Sequence, residues 1–106
     1  MMSKPNLDYI KDLAGDDKEF ENQFIHILKT EFPSEKVIYE KAVLEGNFHE
    51  AAQIVHKLKH KFNILSMTEA YTLSVAYEEE LNAQNMEKDK EFLKELCTIE
   101  TYLKTI

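Results

Sequence analysis

The chain has 106 residues, 43% of them hydrophobic and 31% charged, with a formal net charge of −7. That length suits one domain around a single hydrophobic core, and the acidic balance argues against nucleic acid, whose phosphate backbone selects positive surfaces. No apolar run approaches the ~20 residues needed to cross a bilayer. Residues 1–6 contain no apolar signal region, so a cytoplasmic protein without membrane contact is expected.

Two Gly, two Pro and an abundance of Leu, Ala, Glu and Lys favour helices. Pro5 or Asn6 opens a short helix that ends at Ala14, with Gly15 as a left-handed stop. Asp16, with Glu19 three residues on, predicts the next start. Phe20, Phe24, Ile27, Leu28 and Phe32 then keep helical spacing. Pro33 must kink or break this helix, yet the periodicity resumes with Val37, Ile38, Tyr39, Ala42 and Leu44. One long kinked helix is therefore expected. Gly46-Asn47 ends it, and Asn47 with Glu50 predicts a third helix from Phe48 to Ile64.

Ser66-Met67-Thr68-Glu69 reads as a capping box that starts the fourth helix, carrying Tyr71, Leu73, Ser74, Tyr77 and Leu81. Residues 82–85 form a turn. The last helix bears Phe92, Leu93, Leu96, Ile99, Leu103 and Ile106 as a near-heptad stripe. Connections this short make consecutive helices antiparallel. The expected fold is all-α: an antiparallel up-down four-helix bundle with a short extra N-terminal helix, one domain over residues 1–106.

Chemistry is legible on the third helix. Phe48, Ala51, Val55, Leu58, Phe62 and Leu65 gather on one face, and His56 points about 140° away from its centre, toward water. Lys59, His60 and Asn63 share its stripe at i+3, i+4 and i+7. Between Val55 and Phe62 stand three lysines, two histidines and no acid, a local basic patch on an acidic body. Imidazole nitrogen is a good nucleophile toward phosphorus and is partly neutral near pH 7. A phosphoryl group there brings about two negative charges, which Lys59 or Lys57 can meet. No Ser or Asp sits at the spacing that would complete a hydrolase triad.

The run from Ala52 through His56, Leu58 and Lys59 resembles the His-x-Leu-Lys-Gly signature of the histidine-containing phosphotransfer domain of two-component signalling. The resemblance covers nearly the whole chain. Residues 13–20 are similar to the start of that family's long helix, Phe32-Pro33 to a proline within it, and residues 44–48 to the turn before its histidine helix. It implies a phosphohistidine carrier in a multistep phosphorelay. His56 would accept a phosphoryl group from the aspartate of one receiver domain and pass it to another, with Lys59 and Lys57 stabilising it. The implied partners are response-regulator receivers and a hybrid histidine kinase. It also implies no cofactor or metal on this chain, since the Mg²⁺ belongs to the receiver, and no kinase activity of its own. A monomer is expected, and the Met start suggests a freestanding chain.

Two positions depart from the family pattern. His60 stands where a small residue is usual, which places His60 and neighbouring Asn63 at the partner interface as candidates for selectivity. Ser66 stands where a glycine is usual, and its suitability as a helix cap offers a local reason. Two other readings compete. One is a helical interaction module without chemistry. The other is a metal site on His56 and His60, an i,i+4 pair, with His49 two turns earlier and Glu45 or Glu50 as loose further ligands.

Lesser expectations complete the reading. Cys97, the one cysteine, reads as a small buried hydrophobe. His26 reads as a bundle-flank residue, the tyrosines and methionines as core, and Glu78, Glu79 and Glu80 as a solvated face. If the fourth helix lies against the third, Glu78 is placed to accept a hydrogen bond from His56. Ile25 and Phe32 are the expected docking residues on the long helix.

Overall fold

Periodic apolar positions and end signals resolve into five helices in the computed structural model, which describes residues 4–106. They are α1 (Asp8–Ala14), α2 (Lys18–Leu44), α3 (Phe48–Ile64), α4 (Thr68–Asn82) and α5 (Asp89–Leu103). No strand occurs among the described residues, and none of the helices is long and apolar enough to cross a membrane. The 27 residues of α2 span about 40 Å at the usual helical rise, which sets the 45 Å long axis of the molecule.

End chemistry accounts for most boundaries. Asn6 Oδ1 accepts from the Asp8 amide at 3.0 Å, and the Asn6 amide donates to the Leu65 carbonyl at 2.9 Å, tying the start of α1 to the end of α3. Asp17, one residue beyond the expected Asp16, caps α2 by accepting from the Phe20 amide at 3.0 Å. Pro33 lies inside α2 without ending it. Asn47 caps α3 as expected, accepting from the Glu50 amide at 3.0 Å.

The α2–α3 and α3–α4 connectors are the same device used twice. At the first, the Gly46 amide donates to Val43 and the Asn47 amide to Ala42. At the second, Ser66 donates to Asn63 and Met67 to Phe62. Both are Schellman closures, which need a left-handed residue just past the helix. Gly46 takes φ 67° and Ser66 takes φ 63°. The capping-box reading of Ser66 is therefore corrected: α4 starts at Thr68 after Met67, with no side-chain cap. Ser66 is spent on terminating α3, in a conformation that favours glycine. Gln84 closes α4 in the same way, at φ 62°.

Helix α2 packs on α3, α3 on α4, α4 on α5 and α5 back on α2, while α1 lies against α2. One aromatic side chain from each of α2 to α5 meets in the middle. Phe92 has Tyr39, Tyr77 and Phe62 at ring-centroid distances of 5.0, 5.3 and 5.7 Å. All four are buried, and each such ring contributes roughly 1.5–3 kcal/mol by leaving water. The tyrosine hydroxyls stay satisfied there. Tyr39 donates to Asp89 at the start of α5, and Tyr77 donates to Tyr39 at 2.8 Å. Burial raises both phenols, Tyr77 to about 12, so both keep their protons.

Among the described residues three polar side chains are buried. Ser74 returns its hydroxyl to the Ala70 carbonyl at 2.8 Å. Lys61 sits between two carboxylates of α2, with Nζ 3.2 Å from Glu31 and 3.0 Å from Glu35. Glu95, on the inner face of α5, leaves Oε2 without a hydrogen-bond partner. Burial raises its carboxyl above the ordinary range, and the negative charge of Glu69 adds to the effect while Lys94 opposes it.

Expectations about side-chain direction fail at three places, one of them Tyr9, which is 41% exposed rather than core. Cys97 is exposed, not buried: it follows Leu96 on α5 and falls on the outer side of the stripe. Phe32 is fully in the core, and therefore is no docking residue. Ile25 is half-buried.

Candidate functional site

The site is built on the α3–α4 pair, where small residues let the two backbones approach. Ala51 and Ala52 on α3 and Ala70 and Ser74 on α4 are all buried. The Tyr77–Tyr39–Asp89 chain anchors α4 to α2 and α5 at Tyr77, and the next residue, Glu78, lies beside α3. Glu78 there meets His56. Its two carboxylate oxygens lie 3.2 and 3.1 Å from Nδ1 of His56. The expected contact between these residues is present.

An ionised carboxylate only accepts, so Nδ1 is the donor in this contact. In the neutral imidazole the lone pair is then on Nε2. The His56 side chain is 53% exposed. The ring is thus half open to solvent, while its Nδ1 edge is held.

Lys59 lies on the held side. Its Nζ donates to Glu78 Oε1 at 3.1 Å and stands 3.4 Å from His56 Nδ1, and only 13% of its side chain is exposed. The sequence places Lys59 on the His56 stripe but does not reveal this commitment to Glu78. Its charge compensates the carboxylate and orients the ring edge. Lys57 is exposed and lines the same depression as His56.

That depression, about 730 Å³ and open to solvent, runs from His56 toward the start of α3. Ile38, His49, Gln53, Lys57 and Asn82 contribute to its walls. Ile38, 41% exposed, is the apolar α2 residue that lines this depression together with His56. Toward the end of α3 the surroundings differ. His60 sets its ring edge-on against His56, at a centroid distance of 5.2 Å and an interplanar angle of 88°. Asn63 is exposed one turn further along. His56, Lys57, Lys59 and His60 are therefore gathered, while Asn63 stands at the margin.

The glutamates expected as a solvated face divide. Glu78 serves His56 and Lys59, Glu80 pairs with Lys88 at 2.6 Å, and Glu79 is exposed. Among the described residues no three or more His, Cys, Asp or Glu side chains converge as a metal site. His26 is exposed on the outer side of α2. Comparison of the chain with protein-family models, with curated proteins and with solved structures gives no significant match.

Proposed function

We propose that this protein is a phosphohistidine carrier of a two-component phosphorelay, built as an antiparallel up-down four-helix bundle of α2 to α5 with α1 as the extra helix. The closed ring of helix contacts and the short connectors support that arrangement. The observation that carries the function is the His56–Glu78 contact, which engages the Nδ1 edge of a half-exposed ring on a basic stripe and so directs the lone pair of the neutral imidazole to Nε2.

In the proposed step the Nε2 lone pair attacks the phosphorus of an aspartyl phosphate on a receiver domain. The P–O bond to the aspartate breaks, and the carboxylate leaves with its electron pair. The ring then carries the phosphoryl group on Nε2 and a hydrogen on Nδ1, hence a positive charge. Glu78 faces that charge at hydrogen-bond distance. Transfer to a second receiver is the reverse step. Lys57 meets the phosphoryl oxygens from the open side, and Lys59 acts through Glu78.

Positioning and charge compensation supply the rate acceleration in such a site. The Mg²⁺ is the receiver's, and a hybrid histidine kinase is the upstream source. The carrier has no kinase activity of its own, works in the cytoplasm and is a monomer.

The test is phosphotransfer from purified, labelled receivers. An acid-labile, base-stable label on the wild type and none on His56→Gln is expected. Absence of label from every receiver of the same organism, with the receivers shown to be phosphorylated, favours an interaction module.

A further inference from the structure

The surroundings of the His56 ring are asymmetric along α3, and that asymmetry has a functional meaning. On the Nδ1 edge stand Glu78 and Lys59. Toward the start of α3 the surface falls away into the depression bounded by Ile38, Gln53 and Asn82. Toward the end of α3 the ring of His60 stands edge-on at 5.2 Å, itself exposed. A macromolecule that brings a phosphoryl group to Nε2 must close over this surface, whereas a small donor can approach from the open side.

We propose that His60 is a specificity-determining residue: its ring blocks approach over the C-terminal end of α3 and confines docking partners to the side of the depression. This rests on the carrier reading of His56. The device is one of shape. His60 makes an edge-to-face contact with His56, and the imidazole itself occupies the space beside the reacting ring. Partners whose docking surface rises on that side meet the ring, and partners whose surface rises over the depression do not. Selectivity by exclusion of this kind leaves the intrinsic reactivity of the nucleophile untouched.

Two donors separate this claim from the carrier reading. Phosphoramidate is small: Nε2 attacks its phosphorus, the P–N bond breaks and ammonia leaves. A panel of receiver domains phosphorylated on aspartate supplies the large donors. His60→Gly and His60→Ala are compared with wild type and with His60→Phe, which keeps a ring of similar breadth. The alanine variant keeps a strong helix former where glycine weakens the helix.

Phosphoramidate labelling of His56 in each of the four proteins is the reference to which its receiver transfer is normalised, since a small donor does not meet the gate. Transfer from the receivers least favoured by wild type is expected to rise about tenfold or more in His60→Gly and His60→Ala, and to stay low in His60→Phe. Unchanged preferences in the glycine and alanine variants overturn the proposal, as does a phenylalanine variant that behaves like them. Failure of wild type to be labelled at His56 by either donor overturns the carrier reading instead.

Discussion

Glu78 of α4 holds Nδ1 of His56 of α3 at 3.1 Å across the packed α3–α4 pair. The same carboxylate takes the ammonium of Lys59, so one residue fixes both the ring and the nearest cation. A side chain 24% exposed and twice bonded is a more rigid orienter than a solvated glutamate. The contact gives the candidate nucleophile its direction.

Replacing Glu78 by Ala removes the acceptor that holds the Nδ1 hydrogen. Nitrogen-15 NMR of the ring is expected to move from the Nδ1–H tautomer toward Nε2–H. Receiver transfer is expected to fall about tenfold, equivalent to one charge-assisted hydrogen bond of about 1.4 kcal/mol. Glu78→Gln, which keeps an acceptor oxygen, should recover part of both.

Ser66 is expected to be a source of easily recovered stability. It holds φ 63° in the closure of α3, where a Cβ is unfavourable and glycine is not. Ser66→Gly should raise stability by about 0.5–1 kcal/mol in urea melts, while Ser66→Ala should not. The loss of a side-chain cap cannot offset the gain, because Ser66 caps nothing here.

Glu95 makes stability fall as pH rises. Its carboxyl is held above the ordinary value of 4.5, first by burial and then by the charge of Glu69, so the folded state keeps the proton longer than the unfolded chain. The stability linked to the neutral carboxyl is complete below pH 4.5 and is lost as pH climbs through the raised value. Glu95→Gln is neutral throughout. Its advantage over wild type in urea midpoint should grow from pH 4.5 toward neutrality, and a constant difference would contradict this.

Lys61 is a buried cation whose removal strands charge. Lys61→Met should cost about 2–3 kcal/mol, below the full cost of breaking a buried pair because Glu31 is half-exposed. Adding Glu35→Leu should recover most of that, since the more buried carboxylate is then gone as well. Equal stability of the single and double variants in urea melts would contradict the account of this triad.

Local chemistry made much of the fold legible. Helix α3 runs over the expected residues because Gly46 and Asn47 stop one helix and cap the next within two positions. The continuity of α2 through Pro33 followed from apolar spacing on both sides. What failed depended on partners distant in sequence. Ser66 has the composition of a cap, but the backbone closure of α3 claims it first. Phe32 and Ile27 share the apolar periodicity of α2, and only tertiary packing decides that Phe32 is inside while Ile27 is half-exposed. Lys59 and Lys61 look alike in sequence, yet each is tied to a carboxylate of a different neighbouring helix. Within the site, the stripe of His56, Lys59 and His60 was readable from spacing, and the orientation of the ring edge rested on an α4 contact read as conditional on packing.

The central claim concerns one atom, Nε2 of His56, and combined phosphorus-31 and nitrogen-15 NMR of the receiver-phosphorylated, ring-labelled protein addresses it directly. Phosphorus bonded to Nε2 of His56, with the hydrogen retained on Nδ1 beside Glu78, is the expected result. Phosphorus on Nδ1 of His56, on His49 or on His60, or a chain that takes no phosphoryl group from any phosphorylated receiver, would contradict it.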